Sequence, residues 1–314
     1  MLPYHPLLSD SSAQTDPHQQ WALLCKSISP DDRAALDAAF RLALRAHAAQ
    51  WRKSAGDIPP IPYIVHPVRV ARILAEEWER REREPLATAL LHDVLEDCPP
   101  DKQTGYAKEI TRIAGESVCE AVWTLTKPHL PQAVPSETKA HRDAEYFKVV
   151  RAAPSWVRLV KCADRVDNLR DALLWGDISF WNKYRSETIG WHLFLARETA
   201  PIAEVALFKS LVEGERALHG RVPFWADGHP IDPAAALLVP EHIARRYPLI
   251  GMAKRGDTLI VGTERELDES TLADIRRALN GKEQAIQAVE PLLITAEALN
   301  DALAAGLYRR LDVQ

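Results

Sequence analysis

The chain has 314 residues, of which 46% are hydrophobic, and its formal net charge at pH 7 is -5. This length is enough to bury a large core and suggests two domains. The acidic balance argues against a protein built mainly to bind nucleic acid or an anionic membrane. No apolar run reaches the ~18 residues that a membrane-spanning helix needs, so we expect neither nucleic acid nor a membrane as partner.

The N-terminus and the cysteines indicate the compartment. The first twenty residues (MLPYHPLLSDSSAQTDPHQQ) lack a basic segment followed by an apolar one, so we expect no signal peptide. The cysteines show no CxxC spacing, and we interpret them as reduced thiols of a cytoplasmic protein. They are Cys25, Cys98, Cys119 and Cys162.

The first part of the chain predicts helices only. Residues 1–28 are polar and predict a mobile arm that ends in a short helix. The stretch SPDDRAALDAAF then predicts a helix capped by Ser29, with a proline and two acids in its first turn. Further helices are predicted over roughly 66–82, 86–97, 105–124, 138–152, 155–175, 179–199 and 202–219. Because strand-like alternation is almost absent before residue 220, residues 29–220 are predicted to form an all-α domain.

The pattern changes after a Gly/Pro-rich stretch, residues 221–233, which predicts a linker. Residues 234–314 contain a short helix (PEHIARRY), two β-like runs (LIGMA and TLIVGT), a helix, a strand and a last helix. The sequence KRGD between the two runs predicts a hairpin turn, since Gly-Asp is typical of turns, and we do not interpret it as an adhesion motif. The predicted fold class is mainly α, an all-helical domain followed by a small αββαβα domain.

The stretch LLHDVLEDC, residues 90–98, places several charged side chains inside an apolar helical pattern. Unpaired buried ions are costly, so a bound metal is the first explanation. His92 and Asp93 are adjacent, His66 begins the preceding predicted helix, and Asp164 lies inside a later apolar helical run. Two histidines and two aspartates form a mixed N/O site that suits Mn²⁺, Fe²⁺ or Zn²⁺.

Glu96 and Asp97 lie one turn beyond the His-Asp pair and are not among the four predicted ligands. A cation with open positions lowers the pKa of water, and the two remaining carboxylates are free to handle protons. Taken alone, a His-Asp pair is a weak signal, and Asp164 beside Arg165 is equally consistent with an ion pair. The combination of all four predicted ligands favours the metal site. The other histidines are interpreted as surface or packing residues, with His47 left open.

The order H…HD…D on helices resembles the HD superfamily of metal-dependent phosphohydrolases. The stretches AHAAQWRKS, PYIVHPVRVARILAEE, ATALLHDVLEDC and VKCADRVDNLRD resemble the hydrolase domain of RelA/SpoT-type alarmone enzymes, including the stand-alone small alarmone hydrolases. The resemblance covers about residues 35–220. It implies that Glu96 and Asp97 position and activate the attacking water. The Mn²⁺ ligands that it implies are His66, His92, Asp93 and Asp164.

The same resemblance implies a nucleotide-binding set. Its members are Arg52, Lys53, Ser54, Lys161 and Asn168. Cationic side chains suit an anionic pyrophosphate ester, although Lys161 is equally consistent with pairing to a carboxylate. Asn168 lies one helical turn beyond Asp164 on the same face. The implied reaction is hydrolysis of the 3′-pyrophosphate of (p)ppGpp, the alarmone of the stringent response, to GDP or GTP and pyrophosphate.

Two departures from the family pattern leave the substrate open. The loop AGDIPPI is longer than the usual connection, and Asp167 stands where the family usually has an aromatic residue or histidine before the asparagine. One alternative substrate is the adenine alarmone (p)ppApp, and another is NADPH, hydrolysed at its 2′-phosphate. A different alternative is that the chain is a non-catalytic nucleotide-binding regulator. The presence of both Glu96 and Asp97 argues against the regulator, since a binding protein has no use for a pair of proton-handling groups.

Residues 234–310 resemble part of the N-terminal domain of type II secretion and pilus ATPases of the GspE/PilB type, chiefly in LVPEHIARRY. No GxxxxGK[ST] follows, so the resemblance implies no ATPase. The residues after Gly220 are too few for the synthetase domain of the long RelA/SpoT forms. We interpret the C-terminal domain either as a generic α/β cap or as a docking module for a protein partner or a second copy of the chain.

Overall fold

The computed structural model describes residues 15–52, 61–130, 135–174, 178–219, 225–226, 229–279 and 286–304. The N-terminal part is helical, as predicted. Its helices are α1 (Pro17–Leu24), α2 (Pro30–Ala46), α3 (Val65–Arg72), α4 (Arg83–Leu91), α5 (Pro100–Ala114), α6 (Glu116–Leu125), α7 (Ser136–Ala152), α8 (Ser155–Leu174), α9 (Ile178–Glu187), α10 (Leu193–Thr199) and α11 (Pro201–His219). Two π-helical turns, Ile73–Glu77 and Thr188–His192, continue α3 and α9.

The second helix begins as the sequence predicts. The hydroxyl of Ser29 accepts a hydrogen bond of 3.1 Å from the backbone N–H of Asp32, and Pro30 occupies the first position of α2. Of the predicted mobile arm, residues 1–14 lie outside the described ranges. The helix that follows them, α1, packs on α3 and buries Trp21.

Four predicted helices differ in the structure. The one expected over 66–82 becomes π-helical at Ile73 and ends at Glu77. The one expected over 86–97 ends at Leu91, where the N–H of Val94 bonds the carbonyl of Leu91 three residues back at 3.0 Å and tightens the chain into a turn. The one expected over 105–124 begins at Pro100 and divides into α5 and α6 at Gly115, whose φ of 95° lies in the left-handed region. The one expected over 179–199 contains the second π-helical turn.

Helix α8 is the central element of the helical part. It packs against α3, α4, α10 and α11. Its buried apolar side chains include Val160, Ala163 and Val166. Charged residues of α8 share helical faces with these apolar residues, so several charged side chains are buried along with the apolar ones.

The C-terminal part is a small α/β unit. Its elements are β1 (Trp225–Ala226), β2 (His229–Pro230), α12 (Pro233–Leu238), α13 (Glu241–Arg246), β3 (Leu249–Arg255), β4 (Thr258–Thr263), α14 (Glu269–Leu279), β5 (Ala288–Leu293) and α15 (Ala296–Ala304). Strand β4 lies between β3, to which it is antiparallel, and β5, to which it is parallel. Gly256 (φ 57°) and Asp257 make the turn between β3 and β4, where the sequence predicts a hairpin.

Side chains of β3 and β4 alternate between two cores. Leu249 and Leu259 belong to a core that includes residues of α13 and α14. Ile250, Met252 and Ile260 belong to the larger core of the helical part. This period-two alternation packs one face of the sheet on its own helices and contributes the other to the helical core.

The backbone of β3 comes very close to the backbone of the second π-helical turn at Gly190. A Cβ on Gly190, in the second π-helical turn, would lie 2.6 Å from the carbonyl oxygen of Lys254 in β3. Beside this contact, the guanidinium of Arg255 lies over the rings of Phe194 and Trp191, at 4.6 and 5.5 Å. Glycine therefore allows a backbone approach that any other residue would prevent.

In the described ranges, none of the helices is both long and apolar enough to cross a membrane. The four cysteines are free thiols, and those at positions 98, 119 and 162 are buried.

Candidate metal centre

Three elements bring the predicted ligands together. His66 is in the first turn of α3, His92 and Asp93 follow the end of α4, and Asp164 lies in the middle of α8. Helices α3, α4 and α8 pack against one another through fully buried apolar side chains such as Val68. The polar cluster is thus positioned by the hydrophobic packing of the three helices that surround it.

The distances within the cluster are short. His66 Nε2 lies 3.2 Å from Asp164 Oδ1 and 3.6 Å from Asp93 Oδ2. His92 Nε2 lies 3.1 Å from Asp93 Oδ2 and 3.8 Å from Asp164 Oδ1. One ligand atom from each of His66, His92 and Asp164 lies within 4.8 Å of the others. His66, His92 and Asp164 therefore converge on one point, and Asp93 lies beside them, close to both imidazoles.

The hydrogen bonds of both imidazoles fit a bound cation. His92 Nδ1 lies 2.8 Å from the carbonyl oxygen of Ala89, and His66 Nδ1 lies 2.7 Å from Oδ2 of Asp167. Both partners can only accept, so each Nδ1 carries a proton and each Nε2 is the ring nitrogen that faces the cluster. Within the described part of the chain, His92 Nε2 is buried without a hydrogen-bond partner. A divalent metal would satisfy it, and the N/O donor set suits such an ion.

The electrostatics of the cluster favour a positive charge. Burial lowers the pKa of His92, but the carboxylates of Asp93 and Asp164 outweigh this effect and raise the pKa to about 9. Burial alone would raise the pKa of Asp164, but Lys161 and the two histidines hold it well below its usual range. Without a cation, the cluster retains a proton on His92, and a metal would displace that proton on binding.

Glu96 and Asp97 lie next to the cluster with raised pKa values. Burial and the neighbouring Asp93 carboxylate raise the pKa of Glu96, which accepts a hydrogen bond of 2.8 Å from the backbone N–H of Lys127. Asp97 is exposed overall, yet burial of its carboxyl and the charge of Asp93 raise its pKa to about 7. A carboxyl group with a pKa of about 7, such as that of Asp97, can both accept and donate protons near neutral pH.

Of the predicted nucleotide-binding residues, three lie at the cluster with protein partners. Arg52 donates to Asn168 Oδ1 at 2.9 Å and to Asp171 Oδ2 at 2.7 Å. Asn168 Nδ2 donates to Asp164 Oδ1 at 2.5 Å, and Lys161 Nζ lies 2.9 Å from Asp164 Oδ2. The structure thus connects all three to a predicted metal ligand. Lys53 and Ser54 lie outside the described residues.

Sequence reasoning assigned no role to several residues beside the cluster. Tyr63 donates a hydrogen bond of 2.7 Å to Asp93 Oδ2, and Asp167, Asp171 and Arg69 form buried ion pairs behind His66. The sequence does contain a signal for Asp167, Asp171 and Arg69. Each lies at helical spacing from a predicted ligand, three or seven residues further along the same helix, inside an apolar pattern.

His47, left open by the sequence, is buried next to the cluster. Its ring stacks on Tyr63 with centroids 4.9 Å apart, and its Nδ1 lies 2.5 Å from Oε1 of Gln50. Gln50 in turn donates to the backbone carbonyl of Asp97 at 3.1 Å. Burial lowers the pKa of His47, which favours a neutral ring that packs against Tyr63.

Comparison with known proteins locates the family likeness in the same region. Residues 39–174 match a protein family described as HD domain. A guanosine-3′,5′-bis(diphosphate) 3′-pyrophosphohydrolase of Vibrio cholerae is 39% identical over 138 residues, which are 43% of this chain and 18% of that protein. The bifunctional (p)ppGpp synthase/hydrolase SpoT of Escherichia coli is 36% identical over 150 residues, 47% of this chain and 19% of that protein.

A shorter relative is also similar to part of this chain. The guanosine-3′,5′-bis(diphosphate) 3′-pyrophosphohydrolase MESH1 of Danio rerio is 36% identical over 110 residues, 35% of this chain and 55% of that protein. The chain thus spans under a fifth of the two bacterial relatives and about half of this one. All four predicted ligands fall within residues 39–174, the part of this chain that is similar to the HD domain family. The chain is also similar to part of the SpoT-type (p)ppGpp enzymes and of MESH1.

Proposed function

We propose that this chain is a Mn²⁺-dependent hydrolase that removes the 3′-pyrophosphate of (p)ppGpp and yields GDP or GTP and pyrophosphate. The observation that carries the proposal is the buried group of His66, His92 and Asp164, with the Asp93 carboxylate beside it. Among the described residues, His92 Nε2 has no hydrogen-bond partner. Similarity to (p)ppGpp hydrolases over part of the chain supports the choice of substrate.

In this proposal the cation is held by His66, His92, Asp93 and Asp164. A divalent ion in that position would polarise both water and a phosphoryl oxygen. Glu96 and Asp97 take the proton of the attacking water and return one to the leaving ribose oxygen. Their raised pKa values support this role, since a group that transfers protons both ways works best near its own pKa.

The reaction balances with one water molecule. The water oxygen forms a bond to the phosphorus nearest the ribose, and the bond from that phosphorus to the 3′ oxygen breaks. Pyrophosphate leaves, and the ribose oxygen gains a proton. Lys161, which lies against Asp164, is suited to stabilise the charge that develops on the phosphoryl oxygens. The proposed nucleotide-binding set is Arg52, Lys53, Ser54, Lys161 and Asn168.

A substrate panel tests the proposal. The purified full chain, stripped of metal and reloaded with Mn²⁺, is incubated with ppGpp, pppGpp, ppApp and NADPH, and the released pyrophosphate or phosphate is measured. We expect pyrophosphate from the guanine nucleotides. In water enriched in oxygen-18, the label should appear in pyrophosphate and not in the nucleotide. Release from ppApp or NADPH alone would change the substrate, and binding without any turnover would favour the nucleotide-binding regulator.

A second test addresses the metal. His66→Ala, His92→Ala, Asp93→Ala and Asp164→Ala should each abolish turnover and metal retention together, because each removes a ligand from a small set. Mn²⁺ content is measured on the same preparations as the rate. If two of the four variants keep both the metal and the rate near wild type, the ligand assignment is wrong.

We also propose a division of the chain into an arm (1–28), the hydrolase domain (29–220), a linker (221–233) and an accessory domain (234–314). The residues assigned to chemistry all lie in the second of these segments. We assign the accessory domain a supporting role, since its strand β3 packs on the helical core. The four free cysteines support a reducing compartment such as the cytoplasm.

A further inference from the structure

A closed ring of hydrogen bonds and ion pairs lies behind the candidate metal centre. It links two of the proposed ligands through five other side chains, all contributed by α3, α8 and the segment before α3. In order, the ring contains His66, Asp167, Arg69, Asp171, Arg52, Asn168 and Asp164. It closes where His66 Nε2 lies 3.2 Å from Asp164 Oδ1.

Asp167 contacts the proposed ligand His66 at Nδ1, the ring nitrogen that faces away from the metal centre. Its Oδ2 accepts the Nδ1–H of His66 at 2.7 Å, and both of its oxygens accept from Arg69, at 2.8 and 2.9 Å. Asp167 and Arg69 are 2% and 8% exposed. The carboxylate therefore faces the imidazole rather than the nucleotide side, and its charge is neutralised by Arg69.

Two other charged members of the ring, Asp171 and Arg52, complete its charge balance. The second partner of Arg69 is Asp171, which also accepts from Arg52. Two guanidiniums and two carboxylates thus balance in charge. Burying four charges is costly even when they are paired, and apolar side chains at such positions often give equal or greater stability. The ring therefore needs a role other than stability.

We propose that Asp167 is a positioning residue of the metal centre, holding His66 in the Nδ1–H tautomer with Nε2 turned toward Asp93 and Asp164. Arg69 acts through Asp167, because it fixes both carboxylate oxygens in the plane that the imidazole needs. A carboxylate on the far nitrogen of a metal-bound histidine fixes the ring and strengthens the ligand. This inference rests on the metal site of the proposed function.

Two paired variants of the full chain test the inference. Arg69→Leu/Asp167→Ala removes a cation and an anion together, so that no uncompensated charge is left, and removes the acceptor for His66. Arg69→Leu/Asp167→Asn removes the same charges but keeps an amide oxygen that can accept the Nδ1–H. The two differ only in whether position 167 offers an acceptor. A third variant, Arg170→Leu/Glu77→Leu, removes an ion pair between α8 and the first π-helical turn. In the described residues, the hydrogen bonds of this pair join Arg170 to Glu77 and not to a ring member.

Calorimetric titration with Mn²⁺ is the first measurement. We expect the alanine double variant to bind Mn²⁺ about 10–100-fold more weakly than wild type, the usual effect of losing such an anchor. The asparagine double variant and the Arg170/Glu77 control should stay close to wild type. Equal affinity in the alanine and asparagine variants would overturn the role of Asp167, because a purely structural ion pair predicts no difference between them.

Nitrogen-15 NMR of the metal-free proteins is the second measurement. The His66 ring should be a single Nδ1–H tautomer in wild type and in the asparagine variant, and a mixture in the alanine variant. The same tautomer in all three would overturn the inference. A wild-type chain that bound no Mn²⁺ would instead overturn the metal centre and the proposed function, and the NMR comparison separates the two failures.

Discussion

The phenolic hydroxyl of Tyr63 donates a hydrogen bond of 2.7 Å to Oδ2 of Asp93. Burial and the Asp93 carboxylate raise the pKa of Tyr63 well above its usual value, so the hydroxyl remains a donor at neutral pH. The ring of Tyr63 also lies under the guanidinium of Arg52, 5.4 Å from its centroid. One side chain thus connects a proposed ligand to a proposed nucleotide-binding residue.

Tyr63→Phe should weaken Mn²⁺ binding by about tenfold, the lower end of the range for residues that orient a metal ligand, because the ring and its packing remain. Calorimetric titration of both proteins measures this. Tyr247→Phe is the matched control, since it removes a tyrosine hydroxyl that bonds Asp274 at 3.2 Å within the C-terminal part. Equal loss in the two variants would mean that the Asp93 contact is unimportant for the metal.

Glu96→Gln and Asp97→Asn should keep metal and nucleotide binding while kcat falls by ~10²–10⁴, the range for lost acid–base assistance. The pKa of Asp97 is about 7, so an inflection near this pH in the wild-type rate profile should disappear in Asp97→Asn. Steady-state kinetics between pH 5.5 and 8.5, with Mn²⁺ content measured in parallel, checks both statements. A loss confined to KM would remove these residues from the proton-transfer role.

His192 should make the fold sensitive to acid. It is buried, its Nδ1 bonds the carbonyl of Glu187 at 3.1 Å, and its Nε2 accepts from Arg165. Burial, and then the charges of Arg165 and Lys161, hold the pKa of His192 well below its usual value. Below pH ~6.5 the unfolded chain therefore binds a proton that the folded chain does not, and the free energy of unfolding falls as the pH falls.

Urea denaturation at several pH values between 5 and 7.5 measures this effect. For one such histidine the slope approaches about 1.4 kcal/mol per pH unit below pH 6.5. His192→Gln keeps a donor and an acceptor without a titrating ring, so its unfolding free energy should fall less steeply. His242→Gln, at an exposed position, should leave the slope unchanged. Parallel curves for wild type and His192→Gln would contradict the prediction.

Gly190→Ala should destabilise the protein by about 1–3 kcal/mol, the usual cost of overpacking, because the new methyl group meets the carbonyl of Lys254 at 2.6 Å. Gly105→Ala in α5 is the control, since nothing lies within 4 Å of its Cβ position. That change should stabilise the helix by up to about 1 kcal/mol. Thermal unfolding of both variants is sufficient, and similar melting temperatures would mean that the close contact is absent in solution.

A fragment of residues 1–219 should retain Mn²⁺ binding, because all proposed ligands precede residue 220. It should also unfold at a lower temperature and self-associate, because removal of β3 uncovers the face of the helical part that carries Gly190 and Phe194. Titration with Mn²⁺ and sedimentation of the fragment and the full chain measure the two effects. A fragment with the melting temperature and sedimentation behaviour of the full chain would mean that the C-terminal part contributes no packing.

The sequence alone was enough to predict the mainly helical class, the change to α/β after residue 220 and the set of residues that converges at the cluster. Apolar spacing determines which faces of the helices are buried, and a histidine or aspartate within such a face stands out against it. The hairpin at Gly256–Asp257 follows equally from local chemistry. Each of these features depends on residues close together in the chain.

Only the tertiary structure decided the partners of the charged side chains. Asp167 lies beside a proposed ligand in the sequence, yet its role comes from His66 and Arg69, which are 101 and 98 residues away. Which of these groups meet depends on how α3 and α8 pack against each other, and spacing along one helix carries no information about that. The close approach of Gly190 to Lys254 is of the same kind, because two backbones can meet only after both parts of the chain have folded.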